Sequence, residues 1–362
     1  MHTADLDCRY VRMRQALPTA LGVLAVSAAL TAQAATGVVT GATTAMARIT
    51  NASTTGTLQP SAASVPTSRY LPGTQCPVFP ADNIWHADIT KLPVSKYSTV
   101  WLSHLAPATS HLHPDFGPSF GAQPVPYGIA YTVVRNTHAT FPVAFGYASE
   151  SDRVRYPLGA DTKIEGGTNA AGDRHAIIVN ADTCRLYETW DTHHYSTGWY
   201  AGSGATWNLK SDALRPAGWT SADAAGLPIL PGLLRYDEIL AGSIDHAIRF
   251  TVNTTNRAYV WPARHQAGSV TNAAYLPMGA RLRLKASFSL AGWSPKARIV
   301  LAAMKKYGLI VADNGSNWYF QGTSDTRWPI ALIDELKRIP ASAFQAVDES
   351  SLRISANSGV AR

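Results

Sequence analysis

The stretch Ile244-Asp245-His246-Ala247-Ile248-Arg249-Phe250 alternates between two sets of side chains and indicates the fold class. In an extended chain its isoleucines, His246 and Phe250 share one face, while Asp245 and Arg249 share the other and can form an ion pair or hold a substrate. Similar short runs recur between turn signals at Gly128–Val134, Val143–Tyr147, His175–Asn180, Arg185–Trp190, Ala258–Trp261 and Arg281–Phe288. We therefore predict a mainly β protein with an antiparallel β-sandwich or jelly-roll-like domain.

A few peripheral helices accompany the strands. Ser294 followed by Pro295 is typical of a helix start, and Gly308 marks the end of that helix. Two further helices are predicted at about Pro329–Arg338 and Leu233–Leu240.

The dipeptide Asn314-Gly315 separates the apolar run Leu309–Ala312 from Asn317–Phe320 and predicts a β-hairpin. No glycine-rich phosphate loop follows a strand, so a nucleotide-binding parallel sheet is not expected and no cofactor is predicted.

The first 35 residues are typical of an export signal. Arg9, Arg12 and Arg14 precede the apolar run Ala16–Leu30, and Ala32-Gln33-Ala34 follows as a small-residue cleavage site. A permanent signal anchor is the alternative. We expect a secreted, extracellular or periplasmic protein with no stable membrane insertion after cleavage.

Composition predicts the order of the remaining segments. Residues 36–68 are rich in Thr, Ser and Ala and should form a flexible linker. Residues 69–350 should form a single β-rich domain, and residues 351–362 a disordered tail. Only 15% of the 362 residues are charged and 46% are hydrophobic, so the chain can bury a core. The net charge of +7 is a weak sign of an acidic partner.

Removal of the signal leaves Cys76 and Cys184. Two cysteines in an exported protein predict one disulfide, with two buried thiols as the alternative.

Three carboxylates are candidates for acid/base chemistry. Glu188 alternates with Trp190 on one strand face, Glu165 precedes two glycines, and Asp115 lies in a stretch rich in Pro and Gly. A pair of carboxylates beside aromatic rings is what a glycosidase needs. An ordinary turn is the alternative for Glu165.

Several other residues are candidates for substrate binding. Trp190, Trp199 and Trp219 offer aromatic faces to a sugar ring, although each one can equally be a core residue. Arg174, His175 and His246 can contact an acidic substrate or satisfy buried polar groups. Arg281, Arg283 and Lys285 share one face of a predicted strand, which is either a solvated basic face or a binding surface for an anionic polymer.

Other reaction classes have weaker support. His111 and His113 are spaced to share a strand face and are weak candidates for a metal site, but Pro114 interrupts regular pairing. Gly-x-Ser-x-Gly and His-Glu-x-x-His motifs are absent from the sequence.

Four stretches resemble a family of secreted microbial proteins of uncharacterised function. They are Arg215–Leu233, Asp245–Phe250, Trp261–His265 and Ala312–Ser316. The resemblance covers most of residues 76–348 and implies export and a single domain, without assigning an activity or a catalytic residue.

These observations lead to the hypothesis of a secreted carbohydrate-active enzyme that hydrolyses a polysaccharide or cell-wall glycan. A lyase acting on an acidic glycan and a non-catalytic carbohydrate-binding or cell-surface protein are the alternatives. No nucleic-acid partner is expected.

Overall fold

Strands that are buried on both faces form the centre of the molecule. In the computed structural model, which describes residues 69–105, 107, 109–120 and 125–362, strands β6 (Ala176–Asn180), β11 (Ile248–Val252) and β12 (Arg281–Leu284) are buried along their whole length. The predicted signal peptide (residues 1–35) and linker (residues 36–68) lie outside the described residues.

The larger sheet has six strands. Around β11 and β12 it adds β1 (His113–Asp115), β13 (Leu309–Asn314), β14 (Tyr319–Gln321) and β15 (Phe344–Val347), in the order β1-β14-β11-β13-β12-β15. The pairs β1–β14 and β11–β13 are parallel and the others are antiparallel.

The second sheet has four strands, in the order β10-β7-β6-β4. Its further members are β4 (Tyr131–Val134), β7 (Arg185–Trp190) and β10 (Ser203–Asn208). One face of this sheet joins the hydrophobic core that also contains the larger sheet, and the other covers a smaller cluster around Tyr156 and Ile178.

Two small sheets and four short helices complete the described chain. The remaining strands are β2 (Gly117–Phe120) with β3 (Val125–Tyr127), and β5 (Val143–Phe145), β9 (Gly198–Ala201) and β8 (His193–Tyr195). The helices are α1 (Ser98–Ser103), α2 (Tyr236–Ala241), α3 (Pro295–Lys306) and α4 (Ile330–Leu336). Of the described residues, 29% are in strands or bridges and 15% are in α-helices or short 3-10 helices, which confirms the mainly β class with few helices.

The predicted helices are present, and their local signals act as expected. Ser294 Oγ accepts a hydrogen bond from Ala297 N at 3.2 Å, which caps α3. Gly242 follows α2 with φ of 81°, a conformation that glycine adopts without strain. Among the described residues, no helix has the length and apolar character needed to cross a bilayer.

The predicted Asn314-Gly315 hairpin is wrong, because β11 lies between β13 and β14 in the sheet. The two strands do not pair with each other, and each pairs with β11 instead. The predicted strand at Ala258–Trp261 is absent too; Tyr259 makes only an isolated bridge to Met278.

The C-terminal residues are held against the domain, contrary to the disorder predicted for residues 351–362. Gly359 O accepts from Ile84 N at 2.7 Å, and Gly359 N donates to Asp212 O at 2.6 Å. Arg264 also donates to Ala356 O and Asn357 Oδ1.

Two predicted charge arrangements differ in the structure. Arg281 and Arg283 are buried and donate to backbone carbonyls such as Tyr307 O and Thr90 O, so they form neither a solvated face nor a polymer-binding surface.

The predicted ion pair between Asp245 and Arg249 is absent. Asp245 lies before β11, with its carboxylate 3.7 Å from Arg69, while Arg249 turns into the core.

The predicted disulfide is confirmed. Cys76 and Cys184 are bonded, with their Cα atoms 5.2 Å apart and 108 positions apart in the sequence. The bond ties the start of the described chain to the turn between β6 and β7.

We expect replacement of both cysteines by alanine to lower the free energy of unfolding by about 2–5 kcal/mol, because the unfolded chain loses a long closed loop. Urea denaturation of the oxidised protein and the double variant measures the difference. A reductant should bring the unmodified protein to the level of the variant and leave the variant unchanged. Equal stability of oxidised and fully reduced protein would contradict this prediction.

Candidate functional site

Glu165 and His175 form the tightest acid–base contact of the site. Glu165 Oε2 lies 2.6 Å from His175 Nδ1, and His175 Nε2 lies 3.2 Å from Ala222 O. The imidazole is buried, whereas 28% of the Glu165 side chain is exposed. The pair therefore presents one carboxylate to solvent and keeps its partner in the core.

Backbone pairing brings the two residues together. Ile164 bridges to Ala176, and Glu165 N donates to His175 O at 2.9 Å. The chain then turns through Gly166 and Gly167, whose φ angles of 70° and 99° favour glycine. The two glycines after Glu165 thus reverse the chain and leave its carboxylate directed at the imidazole.

His175 is a cation and Glu165 an anion at neutral pH. Burial lowers the pKa of His175, but the charge and hydrogen bond of Glu165 outweigh burial and raise it to about 9. Burial likewise raises the pKa of Glu165, but His175 outweighs it and the net shift is downward. The geometry fits a protonated imidazole. Nδ1 faces the Glu165 carboxylate and Nε2 faces Ala222 O, and the ring donates to both oxygens only when both of its nitrogens carry a proton.

Asp115 lies on the larger sheet, and its pKa is raised, whereas that of Glu165 is lowered. Burial raises its pKa, and the nearby charge of Glu165 raises it further, against opposing hydrogen bonds. Tyr127 Oη donates to Oδ1 at 2.9 Å, and Gln321 Nε2 donates to Oδ2 at 3.4 Å. The side chain is still partly exposed. Two carboxylates that interact and whose pKa values move apart suit the acid and base of one reaction.

A buried network of charges lies near this pair. Arg249 donates to both oxygens of Asp223, at 2.9 and 2.7 Å, and both side chains are buried. Asp313 Oδ2 is 3.9 Å from the same guanidinium. Burial and the charge of Asp223 raise the pKa of Asp313 to about 8, against the opposing charge of Arg249.

Glu188 is in the core and not in a cleft. It is fully buried, and its two oxygens accept from Ile229 N and Leu230 N, both at 2.8 Å. Burial raises its pKa to about 7 despite these two hydrogen bonds. A substrate cannot reach this carboxylate without unfolding the segment at Ile229 and Leu230, so we leave Glu188 out of the reacting group.

Arg174 and His246 also have structural partners. The Arg174 guanidinium donates to Thr192 O, Thr168 O and Ala170 O and so holds two loops together. His246 is fully buried between Ala247 O and the carboxylate of Glu238. Neither side chain is placed to contact a substrate.

The predicted tryptophans separate into different surroundings. Trp190 is bonded to the segment that leads into His175, because its Nε1 donates to Asp173 Oδ1 at 3.3 Å. Trp199 is half-buried on the other side of β9, against His194 and the smaller core cluster. Trp219 packs on Arg215, well along the chain from both.

An aromatic surface borders Trp190, and we call it the aromatic platform. The rings of His193, Tyr195 and Tyr200 lie within 6.5 Å of one another on one face of the β8–β9 pair, and Tyr147 lies 6.3 Å from Trp190. Half of the Tyr195 side chain is exposed. The backbone of Asp191 and Thr192 donates to Asp173 O and Arg174 O, which fixes the aromatic platform next to His175.

The weak metal candidates lie at the edge of the site. His113 stacks on Tyr319 with ring centroids 4.1 Å apart, and burial lowers its pKa. His111 is exposed, and its backbone bridges to Pro340. Within the part of the chain that the structure describes, no three His, Cys, Asp or Glu side chains are grouped as a metal would require.

Sequence reasoning missed Asp223 and Asp313 as members of the charged network. Asp223 lies in a stretch that carries only the family resemblance, and Asp313 follows the apolar run Leu309–Ala312, where it is easily taken for part of a turn. The one available signal was Arg249 itself, because a guanidinium within an apolar strand requires a carboxylate partner somewhere in the chain.

No family model matches the chain, and neither the curated proteins nor the solved structures include a significant match. The resemblance of the four sequence stretches therefore stays a prediction.

We expect Asp223→Ala to lower the free energy of unfolding by about 3–5 kcal/mol, because it leaves the buried charge of Arg249 without its partner. Urea denaturation at neutral pH measures the loss. Asp182→Ala is the matched control, since it removes a carboxylate whose partner Arg135 is exposed, and should have little effect. Equal small effects of both substitutions would contradict the role given to the Asp223–Arg249 pair.

The stability of the Glu165–His175 pair should depend on pH in a defined direction. The pKa of His175 is raised from 6.5 to about 9 by folding. The free energy of unfolding that comes from this shift is therefore fully present below about pH 6.5 and is lost as the pH rises through about 9. The pKa of Glu165 is lowered, so its contribution to the free energy of unfolding is present above the ordinary pKa of 4.5 and is lost as the pH falls below that value.

NMR titration of the imidazole nitrogens measures the same coupling. In Glu165→Gln the pKa of His175 should fall below 6.5, since burial then acts without the opposing carboxylate. An unchanged pKa in this variant would show that Glu165 does not hold the proton on His175.

Proposed function

We propose that the protein is a secreted carbohydrate-active enzyme that hydrolyses a polysaccharide, with Asp115 as general acid and Glu165 as base or nucleophile. The observation that carries the proposal is a pair of partly exposed carboxyl groups in different surroundings: Asp115 is bound by Tyr127, and Glu165 is bound by the buried His175 imidazole. The pKa values of the two groups shift in opposite directions, which agrees with different roles. Hydrolysis of a glycosidic bond needs one protonated and one ionised carboxyl group at the same place.

Each carboxyl group has neighbours suited to its role. Tyr127 and Gln321 orient the Asp115 carboxyl group, and burial favours its protonated form more than these two hydrogen bonds favour the ionised one. The His175 imidazolium keeps Glu165 ionised and occupies Oε2, which leaves Oε1 without a hydrogen bond among the described residues. That free oxygen is the one available to a water molecule or an anomeric carbon.

Asp115 and Glu165 carry out all the proton transfers of the proposed reaction. The proton of Asp115 passes to the glycosidic oxygen as the bond to the anomeric carbon breaks. Glu165 either takes a proton from an attacking water or attacks the anomeric carbon and is later released by water. His175 acts on the reaction through Glu165, as a positioning residue.

The aromatic platform supports a saccharide substrate. Its rings offer flat apolar faces beside the Glu165–His175 pair, and such faces pack on the C–H surfaces of sugars. Tyr195 is exposed and fixed by its neighbours, so it binds a ring without having to be ordered first.

The two alternatives have less support. A lyase would need Arg174, His175 or His246 to face the substrate, but Arg174 and His246 are used within the fold and His175 is bound to Glu165. Tyr127 is a poor base as well, because burial and Asp115 raise its pKa. A non-catalytic binding protein would use the aromatic platform alone. Product that absorbs near 235 nm would identify a lyase, and retention on a glycan without soluble product would identify a binding protein.

We expect Asp115→Asn and Glu165→Gln each to lower kcat/KM for the cleaved glycan by about a hundredfold or more, because each removes a group that takes part in proton transfer. Release of reducing ends from a panel of plant and bacterial glycans measures the activity. Asp334→Asn, on the exposed face of α4, is the matched control and should keep full activity. Full activity of both carboxyl variants on a glycan that the unmodified protein cleaves would refute the assignment.

A further inference from the structure

A groove on the outer face of the four-stranded sheet forms a second candidate site. It consists of two hollows of about 570 and 410 Å³ that share Arg185 and Asn208. Arg185 lies opposite Asn208 on β10 and Asn180 on β6, so these side chains line the floor side by side. Sizes of this order accommodate small ligands or a few units of a polymer.

Positive charge in the groove is not compensated. Arg153 and Arg185 are exposed, and neither has a carboxylate within ion-pair distance among the described residues. Arg153 donates only through Nε to Ala148 O at 3.0 Å, and Arg185 donates to Thr206 Oγ1 at 2.7 Å. Both guanidinium groups therefore keep donors for a ligand.

The acidic side chain of the groove does not cancel this charge. Asp152 Oδ2 is bound by Arg215 Nη1 at 2.8 Å and by Thr206 N at 2.7 Å. The Arg215 guanidinium is held between the rings of Trp207 and Trp219, each about 5.6 Å away. Asp152 and Arg215 neutralise each other, so the free charge of the groove comes from Arg153 and Arg185.

The rest of the lining favours a saccharide over a nucleic acid. Hydroxyl and amide groups surround the two arginines, and they match the hydroxyl groups of sugars. Stacking of nucleic-acid bases requires open aromatic faces, but Trp207 is only 5% exposed and Trp219 is covered on one side by Arg215. Arginine forks bind carboxylates in pairs of hydrogen bonds.

We propose that this groove binds an acidic oligosaccharide, with uronate carboxylates on Arg153 and Arg185 and a sugar hydroxyl on the exposed Asn208. Asn180 is buried and bonded to Asn136, Asp182 and Thr183, so it shapes the floor. The groove is separate from the carboxyl pair of the proposed hydrolase. Its residues lie on the outer face of the sheet, whereas His175 points to the inner side, toward Ala222. If the proposed hydrolysis also holds, the groove identifies an acidic polysaccharide as the substrate class.

Equilibrium binding of oligogalacturonate to the full chain tests the proposal, and the Glu165→Gln background prevents cleavage. We expect Arg153→Ala/Arg185→Ala to raise Kd about tenfold or more, because two charge-assisted contacts are lost. Arg257→Ala/Arg353→Ala is the matched control: it removes the same charge at exposed positions away from the groove and should change Kd less than about twofold.

Several results would overturn the proposal. They are no binding of oligogalacturonate by the parent chain, equal binding of a neutral oligosaccharide of the same length, and an equal loss in the control variant. Single-stranded DNA that competes with the same dependence on Arg153 and Arg185 would mean a general polyanion site. Because the assay measures binding without turnover, its result is independent of whether Asp115 and Glu165 catalyse hydrolysis.

Discussion

The buried charge of Arg249 is the constraint on which the arrangement of the site depends. A guanidinium in the centre of a β-sheet is tolerated only if it is paired and its donors are satisfied. Asp223 meets both conditions with two hydrogen bonds. Since Asp223 is on an irregular segment and Arg249 on the central strand β11, their pairing fixes the path of that segment across the core.

The segment that carries Asp223 then determines where the other polar groups lie. One position before Asp223, Ala222 O accepts from His175, and a few positions after it the amides of Ile229 and Leu230 bind Glu188. Both partners belong to the four-stranded sheet or its edge, while Arg249 belongs to the larger one. The segment therefore links the two sheets through polar contacts, and it sets the imidazole that holds Glu165.

Local patterns in the sequence predicted local structure well. Alternation identified β6, β7 and β11, and capping residues identified α3, because these signals act within a few residues. The hairpin at Asn314-Gly315 failed because its two strands pair with β11, a choice set by distant residues. Asp115 and Glu165 were recognised from neighbouring turn residues, which is local information. The burial of Glu188 could not be predicted, because it depends on backbone amides about forty positions away.

The loop that follows β5 runs from the aromatic platform to the groove, the two surfaces proposed to bind a glycan. The ring of Tyr147 lies 6.3 Å from that of Trp190, which borders the aromatic platform. Five positions later, Asp152 binds Arg215 and Thr206 at the groove. Five residues span at most about 18 Å, which is short compared with a polysaccharide chain. If both surfaces bind the same glycan as proposed, simultaneous contact would increase its affinity without any new interaction. The aromatic platform carries no fixed charge apart from His193, whereas the groove holds the exposed guanidinium groups of Arg153 and Arg185. Under the proposed functions, the groove is therefore the part of the surface that would distinguish an acidic glycan from a neutral one.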